Sequence, residues 1–185
     1  VAPDGFVVTR YAERLSHPRW VYLLPNNDVL VAQSASRPSE GGGVVGWIRN
    51  MVQRGAGAFA EEGVNQVTLL RDSDLDGDVD ETHVFKDGLN QPFGMLLLNN
   101  YIYIANTDAV LRYPYSTGVT RLDGAGEIVL RFPNREGDNG HWTRNLIANE
   151  DGTKIYASVG SSSNIADNGM EAEEGRAAIW EFNPD

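Results

Sequence analysis

A pattern of hydrophobic strand, polar turn and second strand occurs three times in this chain, and it limits the possible folds more than any other feature. Each copy continues into a third strand, and the first two copies continue into a fourth, at 82–85 and 127–132. Repeated units of four short antiparallel strands are typical of β-propeller blades, whereas an ordinary sandwich does not repeat the strand order. The other strands are expected at 19–24, 29–32 and 65–70, at 92–98, 101–105 and 109–113, and at 146–148, 154–159 and 177–182.

The sequence therefore predicts an all-β fold, a β-propeller of four-stranded antiparallel blades. The expected blades are 18–86, 91–133 and 142–185, and the third lacks its last strand. About three blades cannot close a ring, since propellers have roughly 4–8. We expect the remaining blades to come from a second chain or from further sequence, because an open set exposes strand edges.

Two segments outside the repeats have their own pattern. Phe6–Tyr11 is rich in β-forming residues and follows a turn signal at Pro3–Gly5. Apolar residues at helical spacing between Val44 and Val52 predict a short helix.

Composition excludes several classes of function. The net charge of -11 disfavours a nucleic-acid partner, whose phosphates would be repelled. No apolar run approaches the roughly 20 residues of a membrane-spanning helix. The absence of cysteine excludes disulfides and thiol chemistry. A start at Val1 without a signal peptide is expected of a processed, exported protein, and equally of any trimmed chain.

Propeller geometry predicts where a ligand would bind. The first strand of each blade is innermost, so the segments leading into these strands should converge on one axial mouth. These lead-in segments are 17–19, 90–92 and 141–145. Two long insertions, 34–64 and 161–175, should lie on the same face, and long loops around one opening are typical of a binding site.

His141 is the candidate catalytic residue of this mouth. Histidine is the side chain most easily tuned to move a proton near neutral pH. By itself the run from His141 to Asn145 favours a surface-loop histidine beside a packed Trp142, because a lone histidine is a weak signal. Its position at the mouth favours the site.

An acidic stretch matches the start of a calcium loop, with oxygen ligands at alternate positions and Gly77 at the sixth. His83 stands at position twelve, where a bidentate glutamate is usual, so nearby acids would complete the shell. The alternative is a solvated acidic turn. As the connection between third and fourth strands, the loop should lie on the face away from His141, and we expect a structural Ca²⁺. The candidate ligands are Asp72, Asp74, Asp76, Asp78, Asp80 and Glu81.

Four stretches of the chain resemble the glucose/sorbosone dehydrogenase family: GLNQPFGM, YIANTDAVLRYPY, GHWTRNL, and the run from SVGSSS to the end. The histidine motif followed by a strand pair and VGS is the specific part. Members are soluble, exported, six-bladed propellers that use pyrroloquinoline quinone. The chain would cover about the first half of such a protein, which implies a periplasmic or secreted location.

The resemblance implies a quinone lying flat on the mouth and activated by Ca²⁺. His141 matches the family's base, which takes a proton from a sugar hydroxyl while hydride passes to the quinone. Gln91 falls near the glutamine that contacts the cofactor, and Arg144 and Asn145 could contact the quinone carboxylates. Gly140 replaces the aspartate of glucose-oxidising members, so substrate orientation must differ.

Partners and alternatives follow from the same resemblance. The remaining cofactor contacts come from later blades, so this chain alone should be inactive, and an external electron acceptor is required. One alternative is a non-catalytic propeller that binds carbohydrate or protein at the mouth. The other is a calcium-dependent, lactonase-like hydrolase.

Overall fold

The computed structural model consists mainly of short antiparallel strands. They form three sheets in chain order, of four, four and three strands. The prediction of an all-β fold built from repeated antiparallel sheets is therefore confirmed, and the third described sheet has three strands. The structure describes residues 2–35, 43–55, 65–133, 141–166 and 169–184.

Each sheet follows the chain order of its strands. The first sheet contains β1 (Pro18–Leu23), β2 (Val29–Gln33), β3 (Gln66–Arg71) and β4 (Glu81–Lys86). The second contains β5 (Met95–Leu98), β6 (Tyr101–Ala105), β7 (Ala109–Pro114) and β8 (Glu127–Arg131). The third contains β9 (Leu146–Ala148), β10 (Ile155–Val159) and β11 (Ala178–Phe182).

The turn between β5 and β6 shows why the sequence folds into tight hairpins. Asn99 and Asn100 both adopt positive φ, at 51° and 61°. Two consecutive left-handed residues form the hairpin turn whose twist matches that of the flanking strands, and asparagine tolerates this conformation better than most residues. The turn fixes the register, so that Leu98 pairs with Tyr101.

The second sheet lies between the other two and is buried on both faces. Because side chains alternate along a strand, β6 sends Ile102 and Ile104 into a core shared with the first sheet. Tyr103, between them, enters a second core shared with the third sheet. Face-to-face packing of successive sheets is the packing expected of propeller blades.

The two outer faces of this three-sheet stack carry exposed apolar side chains. On the first sheet, Val21 and Leu23 are 61% and 62% exposed. On the third sheet, Ile147 and Ile179 are 66% and 67% exposed. Exposed apolar patches on sheet faces are typical of surfaces that another element covers.

Two expectations about strands are wrong. Phe6–Tyr11 forms no strand, and Phe6, Val7 and Val8 are exposed, because no described strand pairs with them. The strand expected from residue 92 begins only at Met95. Before this strand, Phe93 N–H still donates to Ala105 O within the second sheet. Gly94 N–H instead leaves the sheet and donates to Arg144 O, in the segment that leads into the third sheet.

The expected helix is confirmed as α1 (Gly43–Gly55), and its apolar stripe is exposed. The rest of that insertion, 36–42 and 56–64, lies outside the described residues. The other insertion contains a 3-10 helix at Met170–Glu173, and residues 167–168 within it are not described. No described helix is both long and apolar enough to cross a bilayer.

We predict that Gly94→Ala destabilises the fold by about 1–3 kcal/mol, because an added Cβ overpacks a close backbone contact. That Cβ would lie 2.7 Å from both Arg144 O and Asn145 Cα. Urea unfolding of the intact protein measures the loss. Gly55→Ala is the matched control, since no atom of the described residues lies within 4 Å of its Cβ position. Equal stability of both variants would show that the two lead-in segments do not meet as described.

Candidate functional site

The three lead-in segments meet at one end of the stacked sheets. Ser34 Oγ, at the end of the first hairpin, donates to Pro92 O at 2.9 Å. Gly94 N–H donates to Arg144 O at 2.8 Å. These bonds join the first sheet to the second and the second to the third, so the segments converge on a common surface, the mouth.

A row of aromatic rings follows the same direction. The ring centroids of Trp20 and Phe93 are 5.4 Å apart, and those of Phe93 and Trp142 are 6.2 Å apart. Arg19 lies over the Trp142 ring at 5.8 Å, and its Nε–H donates to Ser34 O at 2.7 Å. An exposed cation is thereby held next to the residue that follows His141.

Gln91 lies in the same cluster but is 5% exposed. Its Nε2–H donates to Ala35 O at 3.0 Å, so the amide ties the second lead-in segment to the first hairpin. Gln91 and His17 occupy equivalent positions before prolines, and both adopt positive φ, at 50° and 49°. Strained backbone in non-glycine residues clusters at functional sites.

His141 is exposed, and one edge of its ring faces the third sheet. Nδ1 lies 3.2 Å from Ser161 O and 3.0 Å from Ser161 Oγ. A carbonyl oxygen can only accept, whereas the Ser161 hydroxyl can donate or accept, so the bond to Ser161 O favours the neutral tautomer with its proton on Nδ1. Nε2 then keeps its lone pair, which is the arrangement a general base needs. Gly140, where we expected a difference in substrate orientation, lies outside the described residues.

Gly160 explains why the ring can approach Ser161 so closely. A Cβ on this residue would lie 2.7 Å from His141 Cβ. Only glycine therefore leaves room for the histidine loop against the end of β10. Each residue of the VGS motif has a structural reason. Val159 ends the strand, Gly160 leaves space for His141, and the Ser161 carbonyl accepts a hydrogen bond from Nδ1–H.

Arg144 is 0% exposed and lies beneath the histidine loop. Its Nη1 donates to His141 O at 2.8 Å and to Thr143 O at 3.0 Å, which fixes the loop backbone. The guanidinium lies 5.4 Å from the centre of the Phe132 ring. Burial, and secondarily the charge of Arg176, lower the pKa of Arg144 to about 10, so it remains a cation at neutral pH.

Asn145 serves the local backbone. Its Oδ1 accepts from Leu146 N–H at 2.9 Å, and its own N–H donates to Ser158 Oγ at 3.0 Å. The predicted cofactor contacts of Gln91, Arg144 and Asn145 stay predictions, since each side chain has a structural partner in this arrangement.

Sequence reasoning missed Ser161, Arg176 and Glu173. Arg176 is 9% exposed, and its Nη2 donates at 3.2 Å to the same Ser161 O that faces His141. Glu173 accepts from the backbone and hydroxyl of Ser162, and these bonds lower the pKa of Glu173. In the sequence, only the VGS motif indicated that Ser161 belongs to the site. The burial of Arg176 could not be predicted, because an arginine in a loop is usually exposed.

The acidic loop lies at the opposite end of the first sheet. Its flanking residue Arg71 pairs with Asp28 in the β1–β2 turn, at 2.6 Å, away from the mouth. Carboxylate oxygens of Asp72, Asp74 and Asp80 lie within 4.8 Å of one another. The other expected ligands, Asp76, Asp78 and Glu81, lie outside that group, and Glu81 Oε2 is 2.8 Å from His83 Nε2.

Comparison of the sequence with known families gives one assignment. The profile described as Domain of unknown function (DUF7133) matches residues 46–185. The chain belongs to this family. No curated protein matches the sequence.

Solved structures share the fold at low sequence identity. An iodide structure and a calcium structure of a Trichoderma reesei protein of carbohydrate-active enzymes family AA12 both match with a TM-score of 0.68 and 19% identity over 99% of this chain. The holo form of the pyranose dehydrogenase PQQ domain from Coprinopsis cinerea matches with a TM-score of 0.69 and 18% identity, also over 99%. The chain spans 37–40% of these structures. The expected propeller fold is thereby confirmed, and the pyranose dehydrogenase PQQ domain shares it.

We predict that neutral His141 carries its proton on Nδ1, because Ser161 O can only accept. Long-range ¹H–¹⁵N NMR of the intact protein distinguishes the two tautomers. His83 is the internal control, since its Nε2 faces the Glu81 carboxylate and should carry the proton instead. Protonation of Nε2 in neutral His141 would contradict the assigned orientation of the ring.

Proposed function

We propose that the intact protein is a dehydrogenase that oxidises a sugar, or a sugar-derived alcohol or aldehyde, with pyrroloquinoline quinone as cofactor. One observation carries the proposal: His141 stands exposed at the mouth, with Nδ1 engaged by Ser161 O at 3.2 Å and Nε2 left as a base. The shared fold with the pyranose dehydrogenase PQQ domain supports this choice of chemistry.

The residues at the mouth fit an anionic, planar cofactor. The protein has a net charge of -11, yet the described residues next to His141 include the cations Arg19, Arg144 and Arg176. Arg19 is exposed and held by Ser34, so it is placed to pair with a quinone carboxylate. A contact from Arg144 requires the loop above it to open, because the side chain is 0% exposed.

The chain's own groups account for proton transfer. When bound, the quinone supplies the hydride acceptor. His141 Nε2 takes the proton of the substrate hydroxyl as the C–H bond breaks, so that no free alkoxide forms. Ser161 holds the ring orientation throughout, and the imidazolium that forms can keep its Nδ1–H bond to Ser161 O.

We propose that further blades, beyond residues 1–185, complete this site. The exposed apolar faces at Val21 and Leu23 and at Ile147 and Ile179 would pack against them. They would also supply the remaining contacts to the cofactor, so residues 1–185 alone should be inactive. An external electron acceptor completes each turnover, and the acidic protein fits export to the periplasm or medium.

We also propose that the acidic loop binds a structural Ca²⁺. Oxygens of Asp72, Asp74 and Asp80 are already within 4.8 Å of one another, and Gly77 takes the sharp turn with φ 96°. A calcium structure exists for the AA12 protein of the same fold. The loop lies away from His141, which favours a structural role over the calcium centre of a hydrolase.

We predict that His141→Ala lowers kcat by about 10²–10⁴-fold with little change in stability, because it removes the base and leaves the exposed loop intact. Dye reduction by the intact protein, loaded with quinone and Ca²⁺ and offered several aldoses, measures the loss. Lys154→Ala, at the end of the third sheet away from the mouth and paired with Glu181, is the control and should keep full activity. Unchanged turnover in His141→Ala would refute the assigned base, and a loaded wild-type protein without turnover would favour the binding-module alternative.

We predict that Ca²⁺ at ten times its Kd raises the Tm of the chelated intact protein by about 1–2 °C. Asp74→Asn should weaken Ca²⁺ binding by about tenfold or more, because it removes one ligand charge. Asp87→Asn, an exposed acid paired with Arg121 outside the loop, is the charge-matched control. Calorimetry showing no heat, or equal binding by both variants, would overturn the site.

A further inference from the structure

The strongest unexplained feature of the described residues is the electrostatic environment of Arg144. Its side chain is 0% exposed, and no described carboxylate forms an ion pair with it. The charge that acts on it most strongly is that of another cation, Arg176. A buried charge without a partner is strongly destabilising, so buried cations are normally paired.

The unsatisfied donors of Arg144 lie side by side. Nη1 is used by His141 O and Thr143 O, whereas Nε and Nη2 are buried and have no hydrogen-bond acceptor among the described residues. Nε–H and Nη2–H form the long edge of the guanidinium plane, two parallel donors that point the same way. This edge is the one that binds anions in a bidentate manner.

Arg176 adds a second buried cation on the same side of the histidine loop. It is 9% exposed and donates to Ser161 O and Pro133 O, so its position is fixed by backbone carbonyls. Glu173 interacts with Arg176 electrostatically but not with Arg144. One negative charge next to Arg144 would satisfy both donors and offset the repulsion between the arginines.

We propose that Arg144 binds one small monovalent anion through Nε–H and Nη2–H, beneath the His141 loop and within the field of Arg176. Full burial restricts the ligand to a size that fits between packed side chains, such as a halide ion. A monovalent anion also loses its hydration at lower cost than a divalent one.

The bound anion affects the histidine loop through the Arg144 guanidinium, which contacts both. Arg144 Nη1 holds His141 O, so an anion on the opposite edge fixes the plane that positions the histidine backbone. Removal of the anion leaves two like charges in the low-dielectric interior, which should loosen this loop first. The anion site is independent of the proposed reaction and would exist in a non-catalytic propeller.

Thermal melting of the intact protein tests the site, with sodium chloride compared to sodium isethionate at equal ionic strength. Isethionate is too large for a fully buried site and is not a sugar derivative. Chloride should raise Tm saturably, by about 1–2 °C at ten times its Kd. Crystals grown in bromide should show an anomalous peak within hydrogen-bond distance of Arg144 Nε and Nη2.

Variants separate this site from general salt effects. Arg144→Lys keeps the positive charge but removes the paired Nε–H and Nη2–H donors, the fork. Arg176→Gln removes the second cation and leaves this fork intact. Each variant should weaken chloride binding by about tenfold or more. Arg121→Gln, an exposed arginine, is the control and should keep the chloride response. Equal Tm in chloride and isethionate, an unchanged response in both site variants, or no bromide peak at Arg144 would overturn the proposal. Loss of the chloride response on quinone loading would also overturn it and assign the fork to a cofactor carboxylate.

Discussion

The close approach of the second and third lead-in segments is the constraint on which the rest of this structure depends. Gly94 N–H bonds to Arg144 O, and the backbone contact is so tight that a single added carbon would collide with it. This bond belongs to no strand ladder. It ties two sheets together at the mouth and sets the position of the loop that carries His141.

The histidine loop is held from below and from one side by groups of the third sheet. Arg144 donates to the His141 backbone, and Ser161 accepts from the ring. Gly160 gives the space for both contacts. The result is a histidine whose backbone and Nδ1 are both held at the end of the stacked sheets. Arg19, Arg144 and Arg176 lie near it, although the chain as a whole has a net charge of -11.

The repeated sheets could be predicted from sequence because their signals are local. Alternating hydrophobic residues and the Asn99–Asn100 turn fix strands and register without reference to distant residues. The late start of β5 could not be predicted, since it depends on a bond from Gly94 to a residue fifty positions later in the chain. Phe6–Tyr11 differs from the prediction for the opposite reason: its residues favour β structure, but no strand among the described residues pairs with it.

The candidate site shows the same division. His141 could be proposed as a candidate because its residue type and its place in the repeat both favour proton-transfer chemistry, and its role stays a prediction. The burial of Arg144 and the role of Ser161 could not, because arginine is usually exposed and any loop serine looks alike in sequence. Both depend on how the third sheet packs against the second, which is a property of the whole stack.

The central claim is that an anionic cofactor sits at this mouth with His141 as its neighbour. A crystal structure of the intact protein grown with pyrroloquinoline quinone tests it most directly. The account predicts quinone density over the three lead-in segments, with a carboxylate near Arg19 and open space for a substrate next to His141 Nε2. Quinone bound elsewhere, or a mouth covered by protein so that Nε2 faces no ligand space, would contradict it.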